Sequence, residues 1–272
     1  MAFVESSGAR IHWQAQGQGT PVLLIMGHLY SSRMWYPLLP ELAKTHRVIT
    51  FDNRGTGDSD RTDGVTIEQM AADALAVLDA AGEAKAHVYG VSMGGGIAGE
   101  FGMSYPERAL SVTLGCTMLK QDRAGHGKGR APWIYHMPRP LVRWMLRKAA
   151  KPETYGSAAP REAALYDMAV LAQDRWTMKG VREQNLAITN YVTSRERAQA
   201  KLTMPVLVLH GDEDPLVDVK YGRELHEILP HSGYVEFKGA GHNFLVAAGD
   251  KATRAFIDFI DEVDRSNAAQ AA

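Results

Sequence analysis

Cysteine is almost absent from this chain of 272 residues, which contains only Cys116. An internal disulfide is therefore impossible, and a metal site built from several thiolates is excluded. Charge of one sign is not in excess either, with 30 lysines and arginines against 31 aspartates and glutamates. A net charge of -1 gives no electrostatic attraction to nucleic acid or to an anionic membrane, so we expect neither as a partner.

Long apolar runs are also missing. No stretch approaches the roughly 18 apolar residues of a membrane-spanning helix. The first residues, Met1–Glu5, lack the basic segment and apolar run of a secretory signal, so we expect a cytoplasmic protein. Hydrophobic residues still make up 45% of the chain, which is enough for the core of one domain, or of one domain with an insertion.

Short apolar runs alternate with helical patterns in two parts of the chain. The predicted strands are 3–5, 9–16, 22–26, 48–51, 87–91, 110–115, 204–210 and 234–237. Helical spacing appears between them at 33–44, 66–81, 93–104, 220–229 and 244–264. Strands that alternate with helices form a mostly parallel sheet covered on both faces, so we predict an α/β fold with eight strands.

This alternation stops between the two parts. Residues 119–201 contain no clear apolar strand, but they show helical spacing at 141–148, 161–173 and 177–190. We predict a helical insertion there, between core segments 1–118 and 202–272. Ligands bind at strand ends in such folds, so the insertion would lie over the ligand crevice as a lid.

The sharpest local motif is Gly90-Val91-Ser92-Met93-Gly94, between a predicted strand and a predicted helix. This G-x-S-x-G spacing is typical of a tight strand-to-helix turn that exposes a serine hydroxyl. Side chains two residues before or after the serine would collide with the neighbouring chain, which explains the glycines. Ser92 is the predicted nucleophile.

A different motif overlaps it. Gly94, Gly96 and Gly99 match the G-x-G-x-x-G pattern of dinucleotide-binding proteins. That site needs an acidic residue at the end of the next strand, but the nearest one, Asp122, lies well past it. A dinucleotide-dependent enzyme is the weaker alternative, and close packing of helix on sheet explains the glycines better.

A serine needs a base, and the base needs a group that orients it. Among ten histidines, His242 is the one in a late glycine-rich loop between a predicted strand and the last helix. The acid follows strand 204–210, where we favour Asp214 over Asp212 because it lies further past the strand end. One oxyanion donor is the Met93 amide, and the other should come from residues 27–32.

Together these motifs resemble the α/β-hydrolase superfamily over the whole chain. The turn Asp52-Asn53-Arg54-Gly55-Thr56-Gly57-Asp58-Ser59 is similar to the D-x-R-G-x-G-x-S turn of its capped esterases, enol-lactonases and haloperoxidase-like members. The resemblance implies that the His28 amide is the second oxyanion donor. The chain departs from the family where Met26 replaces a histidine before Gly27.

The resemblance implies hydrolysis of an ester or lactone through an acyl-enzyme, with no metal and no cofactor. The same residues could instead serve a C–C bond hydrolase, a perhydrolase or a lyase. We expect an apolar or aromatic small-molecule substrate. The sequence is compatible with a monomer or a homodimer. The predicted substrate-binding residues are Gly27, His28, Trp133, Tyr135, Trp144 and Phe244.

Overall fold

The computed structural model describes residues 2–119, 141 and 154–271. The apolar runs of the sequence form its strands, which are β1 (Ala2–Ser6), β2 (Ala9–Gln16), β3 (Pro21–Ile25), β4 (Arg47–Phe51), β5 (Ala86–Val91), β6 (Ala109–Gly115), β7 (Val206–Gly211) and β8 (Gly233–Phe237). These eight strands form one sheet in the order β1-β2-β4-β3-β5-β6-β7-β8. Strand β2 pairs antiparallel with β1 and β4, and the remaining pairs are parallel. The predicted eight-stranded, mostly parallel sheet is confirmed.

The central strands are buried on both faces, as a continuous apolar run requires. In β3, Leu23 and Ile25 belong to one core, while Val22 and Leu24 belong to the other. Every residue of β5 is buried. Since parallel strands end at one edge of the sheet, the loops after β3, β5, β6 and β7 meet there.

Helices cover both faces of the sheet. In chain order they are α1 (Leu39–Leu42), α2 (Ile67–Ala80), α3 (Met93–Ser104), α4 (Arg161–Leu171), α5 (Met178–Asn190), α6 (Arg195–Lys201), α7 (Lys220–Ile228), α8 (Phe244–Ala247) and α9 (Asp250–Ala271). The predicted helix at 66–81 is confirmed as α2, since the Thr66 side chain accepts a hydrogen bond from the Gln69 amide at its start. None of the described helices is both long enough and apolar enough to cross a membrane.

Two predicted helices are interrupted. The pattern at 33–44 divides into a 3₁₀ turn, Ser32–Trp35, and the short α1, because Pro37 has no amide hydrogen to donate and Pro40 is tolerated only in the first turn of a helix, where α1 places it. The pattern at 244–264 divides into α8 and α9 at Gly249, whose φ is 50°. Helix α9 then continues to Ala271.

The described chain between β6 and β7 is helical, as predicted. We call residues 154–201 the β6–β7 segment; it contains α4, α5 and α6. Of the predicted helix at 141–148, only residue 141 lies within the described residues, and it is helical. The boundaries of the insertion at 119 and 201 stay a prediction.

Candidate active site

Ser92 lies at the sharp turn from β5 into α3. Its φ of 56° and ψ of -121° are unusual for a residue with a side chain. The turn is fixed at both ends, because the Ser92 amide donates to the Gly115 carbonyl at 2.8 Å and the Ser92 carbonyl accepts from the Gly95 amide at 2.9 Å. Such strain, roughly 1–3 kcal/mol, persists only where the surroundings hold it, and it is common at functional sites.

The glycines two residues before and after Ser92 lie where a side chain would collide with the backbone. A Cβ on Gly90 would collide with the Gly94 carbonyl, and a Cβ on Gly94 would collide with the carbonyl oxygens of Ile25 and Met26. Close packing therefore explains Gly94, as predicted. It does not explain Gly96, where a Cβ would meet no atom within 4 Å.

His242 and Asp214 form a hydrogen-bonded pair. The His242 Nδ1 lies 2.7 Å from the Asp214 Oδ2. The other Asp214 oxygen accepts from the amides of Leu216 at 2.8 Å and Val217 at 2.9 Å, so the loop after β7 fixes the carboxylate. The Nδ1 contact leaves the Nε2 of the imidazole for a second partner, which is the arrangement a general base requires.

The neighbouring acids have other partners. Asp212 accepts from the Gly239 amide at 2.6 Å and so shapes the turn before the histidine loop. Glu213 accepts from the Ser157 amide at 2.6 Å and from its hydroxyl at 2.7 Å. Of the three carboxylates considered in the sequence, Asp214 is the one hydrogen-bonded to His242.

A second histidine touches Asp214. The fully buried His210 has its Nε2 3.4 Å from Asp214 Oδ2 and 2.9 Å from the Val217 carbonyl. Burial alone would raise the pKa of Asp214, but hydrogen bonds from His210, His242 and the Val217 amide outweigh it and lower the pKa well below its usual range. Asp214 is therefore an anion at neutral pH.

Cys116 lies close to both His242 and Asp214. It follows β6, it is buried, and its sulfur lies within 4.8 Å of the ligand atoms of Asp214 and His242. Burial lowers the pKa of His242, but Cys116 and Asp214 both favour the imidazolium and raise the pKa above its ordinary value. No sequence motif marks Cys116, although its position after the strand beside β5 could have indicated it.

The loop after β3 lies close to the predicted nucleophile, Ser92. A Cβ on Gly27 would lie 3.3 Å from the Ser92 Cβ. The next amide belongs to His28, and the one after it, of Leu29, donates to the Gln184 side chain at 3.0 Å. Met93 is the first residue of α3, where backbone amides have no partner within the helix. The predicted donors His28 and Met93 thus both line the cavity around Ser92.

The β6–β7 segment holds the histidine loop in place. The Gly241 amide donates to the Tyr155 carbonyl at 2.8 Å, and the Asn243 amide donates to the Thr154 carbonyl at 3.3 Å. The Asn243 side chain also donates to Asp167 at 3.2 Å. Sequence patterns could not have indicated these contacts, since the partners are 76 or more residues apart.

A cavity of about 1010 Å³ connects these parts. Ser92, Asp214 and His242 line it together with the predicted Gly27, His28 and Phe244. The predicted substrate-binding residues Trp133, Tyr135 and Trp144 lie outside the described residues. Sequence reasoning missed several further lining residues, which are Leu29, Tyr30, Cys116, Asp167 and Asn243.

Within the described part of the chain, two groups of side chains have the donor types of a metal site. They are Cys116 with Asp214 and His242, and His12 with Asp52 and Asp58. In the second group, Asp52 already accepts from the Ser32 amide and hydroxyl, each at 2.8 Å, and from the Asp58 amide at 3.0 Å. These bonds fix the turn 52–59 against the loop after β3, which gives Asp52 a structural role.

The fold and the site together define a hydrolase with a serine on a strained turn and a histidine–aspartate pair in one cavity. The alpha/beta hydrolase fold family matches residues 20–247, and the chain belongs to this family. It is 30% identical to a protein of Azorhizobium caulinodans named as a candidate carbamate hydrolase, RutD, over 97% of this chain and all of the relative. It is 32% identical to a protein of Mycobacterium tuberculosis named as a candidate non-heme bromoperoxidase, BpoC, over 83% of this chain and 88% of the relative.

Among solved structures, a thermophilic esterase from Thermogutta terrifontis superposes with a TM-score of 0.85. It is 24% identical, and the match covers 96% of this chain and 98% of the esterase. At this identity the likeness supports the fold.

Proposed function

We propose that the chain is a serine hydrolase that cleaves a carboxylic ester or lactone through an acyl-enzyme on Ser92. The observation that carries this proposal is the hydrogen bond of 2.7 Å between His242 and Asp214, in the same cavity as the strained Ser92. The chain order Ser92, Asp214, His242 agrees with that of the family.

Each group has one task in the proposed reaction. His242 takes the Ser92 proton while the hydroxyl oxygen attacks the substrate carbonyl, and the amides of His28 and Met93 stabilise the oxyanion. The oxyanion collapses, the leaving alkoxide takes the proton from His242, and an acyl-enzyme remains. His242 then activates a water molecule, which releases the carboxylic acid and restores the serine. Asp214 fixes the imidazole tautomer throughout.

The cavity favours a small, largely apolar substrate. Met26, Met34, Ile67, Leu171 and Trp176 supply apolar surface to its wall. The described wall also includes polar side chains away from Ser92, such as Asn185, Thr189 and Lys220, so both the shape and the polarity of the acyl and alcohol groups would decide specificity. The described part of the predicted insertion at 119–201 contributes Asp167, Leu171 and Trp176 to this wall.

A fluorophosphonate probe tests the nucleophile. The wild-type protein should be labelled covalently, and Ser92→Ala should lose the label. Labelling that persists in Ser92→Ala at the wild-type rate would contradict the proposal.

The acid can be tested with a matched pair of variants. Asp214→Asn should lower kcat for p-nitrophenyl butyrate by about 10⁴-fold, because the imidazole would lose the partner that sets its tautomer. Asp212→Asn keeps an oxygen acceptor for the Gly239 amide and should retain most of the activity. Equal losses in the two variants would reject Asp214 as the acid.

A perhydrolase is the second candidate, because one relative is named as a candidate bromoperoxidase. In that reaction hydrogen peroxide replaces water in the second step and releases a peracid. Bromination of monochlorodimedone with acetate, bromide and peroxide would detect it. A rate of peracid formation well above the rate of ester hydrolysis would favour this function.

A further inference from the structure

Leu29 has an unusual backbone for its type. Its φ of 71° lies in the left-handed region, which residues with a branched side chain rarely adopt. It directly follows His28, whose amide is the proposed second oxyanion donor. The conformation at Leu29 therefore determines how the peptide groups beside this donor are directed.

The Gln184 side chain holds Leu29 in this conformation through a hydrogen bond. Gln184 is fully buried on α5, in the β6–β7 segment. Its Oε1 accepts from the Leu29 amide at 3.0 Å, and its Nε2 donates to the Arg54 carbonyl at 3.0 Å. Both ends of the carboxamide are thus engaged, so the side chain cannot turn without breaking a buried hydrogen bond.

Other residues hold the ends of the same loop, and at its centre the His28 side chain lies 3.3 Å from the Val181 carbonyl of α5. Asn53 donates to the Met26 carbonyl at 2.7 Å, and Asp174 accepts from the Ser31 amide at 2.9 Å. The bond to Gln184 is the side-chain contact that reaches the peptide between His28 and Leu29. Loss of this bond would leave the two ends anchored while the centre could relax toward an unstrained φ.

We propose that Gln184 is a positioning residue for the oxyanion hole: by holding the Leu29 amide, it keeps the His28 amide directed at the reacting carbonyl. This inference rests on the proposed function. The β6–β7 segment would then contribute to the rate of acyl transfer as well as to the shape of the cavity. Gln184 would do so without touching the substrate, through the loop that it holds.

The test compares Gln184→Met with Glu183→Met. Gln184→Met removes the hydrogen bonds to Leu29 and Arg54, and Glu183→Met removes the hydrogen bond that the neighbouring buried Glu183 accepts from the Gly64 amide at 2.8 Å. Only the first affects the loop beside Ser92. Gln184→Met should lower kcat for p-nitrophenyl butyrate by about 10- to 100-fold with little change in KM, less than the roughly 100- to 1,000-fold lost with an oxyanion donor itself. Glu183→Met should keep kcat within about 3-fold, because the oxyanion loop is intact.

An inhibitor gives a second readout that loss of stability would not produce. An alkyl trifluoromethyl ketone adds the serine hydroxyl and forms a hemiketal oxyanion. Its affinity should fall in Gln184→Met by the same factor as kcat, whereas Glu183→Met should bind it as the wild type does.

Gln184→Glu tests the same idea if the methionine variant fails to fold. A protonated glutamic acid can accept from Leu29 and donate to Arg54, but the carboxylate cannot donate. The Leu29 amide keeps its acceptor in either form, so kcat of Gln184→Glu should stay within about 3-fold of the wild-type value at low pH, where the acid also donates to Arg54. A loss at low pH as large as that expected of Gln184→Met would overturn the proposal, as would equal kcat and inhibitor affinity in the two methionine variants.

The wild-type protein separates this inference from the proposed function. If the wild type neither hydrolyses esters nor reacts with a fluorophosphonate, the proposed function fails. If the wild type is active and Gln184→Met matches Glu183→Met, the function stands and the inference fails.

Discussion

Backbone strain is concentrated at individual residues of the cavity. The described part of the chain has four non-glycine residues with left-handed φ, and three of them, Leu29, Ser92 and Cys116, line the cavity. Each such residue costs of order 1–3 kcal/mol and persists only where neighbours hold it. The amides of all three donate hydrogen bonds, from Ser92 to the Gly115 carbonyl, from Cys116 to the Leu209 carbonyl and from Leu29 to the Gln184 side chain.

Cys116 should influence the pH dependence of activity. A general base must be neutral, so kcat/KM should rise with pH through the pKa of His242. Burial lowers that pKa, but Cys116 and Asp214 raise it, so the midpoint should lie above the ordinary histidine value. Cys116→Ala removes one of the raising contacts and should move the midpoint to lower pH, as measured by kcat/KM for p-nitrophenyl butyrate.

Cys116→Ser is the control for this change, since its hydroxyl can keep a hydrogen bond to the imidazole. We expect its midpoint to lie between those of Cys116→Ala and the wild type. Identical midpoints in all three proteins would show that Cys116 does not act on His242.

At the scale of elements, helix α3 packs against β3 with glycine at the contact. A Cβ on Gly94 would collide with the carbonyl oxygens of Ile25, at the end of β3, and of Met26, whereas a Cβ on Gly96 would meet no atom within 4 Å. Two glycines only two residues apart on one helix therefore have different tolerance to substitution.

Gly94→Ala should destabilise the protein, because neither backbone can move without disturbing the turn at Ser92. Overpacking of this kind typically costs about 1–3 kcal/mol. Gly96→Ala should stabilise it by roughly 0.5–1 kcal/mol, because alanine loses less backbone entropy in a helix. Urea unfolding measures both, and a loss of stability in Gly96→Ala equal to that in Gly94→Ala would contradict this view.

The strands could be predicted because their signals are local, and the proposed nucleophile Ser92 also has a local signal. A buried strand needs a continuous apolar run, so β3, β4 and β5 differ from their predicted bounds by one residue at most at either end. The turn at Ser92 needs glycines at fixed spacing. The helix at 33–44 was predicted as one element because its apolar spacing was given more weight than Pro37 and Pro40.

Contacts between distant parts of the chain could not be predicted in this way. Gln184 lies 155 residues from Leu29, and nothing in its own neighbourhood marks it as a hydrogen-bond partner. The same holds for Asp167, which accepts hydrogen bonds from Tyr36 at 2.9 Å and from Tyr155 at 2.8 Å. Such pairs depend on how elements pack, which a single sequence does not encode as a local pattern.

At the scale of the whole molecule, one buried ion pair connects an edge strand, a turn and a helix. The Arg54 guanidinium donates to both oxygens of Asp73 on α2, at 2.6 and 2.5 Å. It also donates to the Ser6 carbonyl at the end of β1, at 3.2 Å. Neither side chain of the pair is more than 1% exposed, so each charge depends on the other.

Arg54→Met should therefore destabilise the protein strongly. It leaves the Asp73 carboxylate buried without a cation, and such losses typically cost about 3–5 kcal/mol. Arg10→Met, at the exposed ion pair with Asp60, is the matched control and should change the free energy of unfolding much less. Similar losses in urea unfolding of the two variants would argue against the importance of burial.

The anchoring of both catalytic loops by the β6–β7 segment limits how this enzyme could acquire a new substrate. Thr154 and Tyr155 bind the histidine loop, and Gln184 binds the loop after β3. A chimera that exchanges this segment for that of a relative would alter turnover together with selectivity. During evolution the β6–β7 segment would then have to keep the few residues that make these hydrogen bonds, while its other residues could diverge.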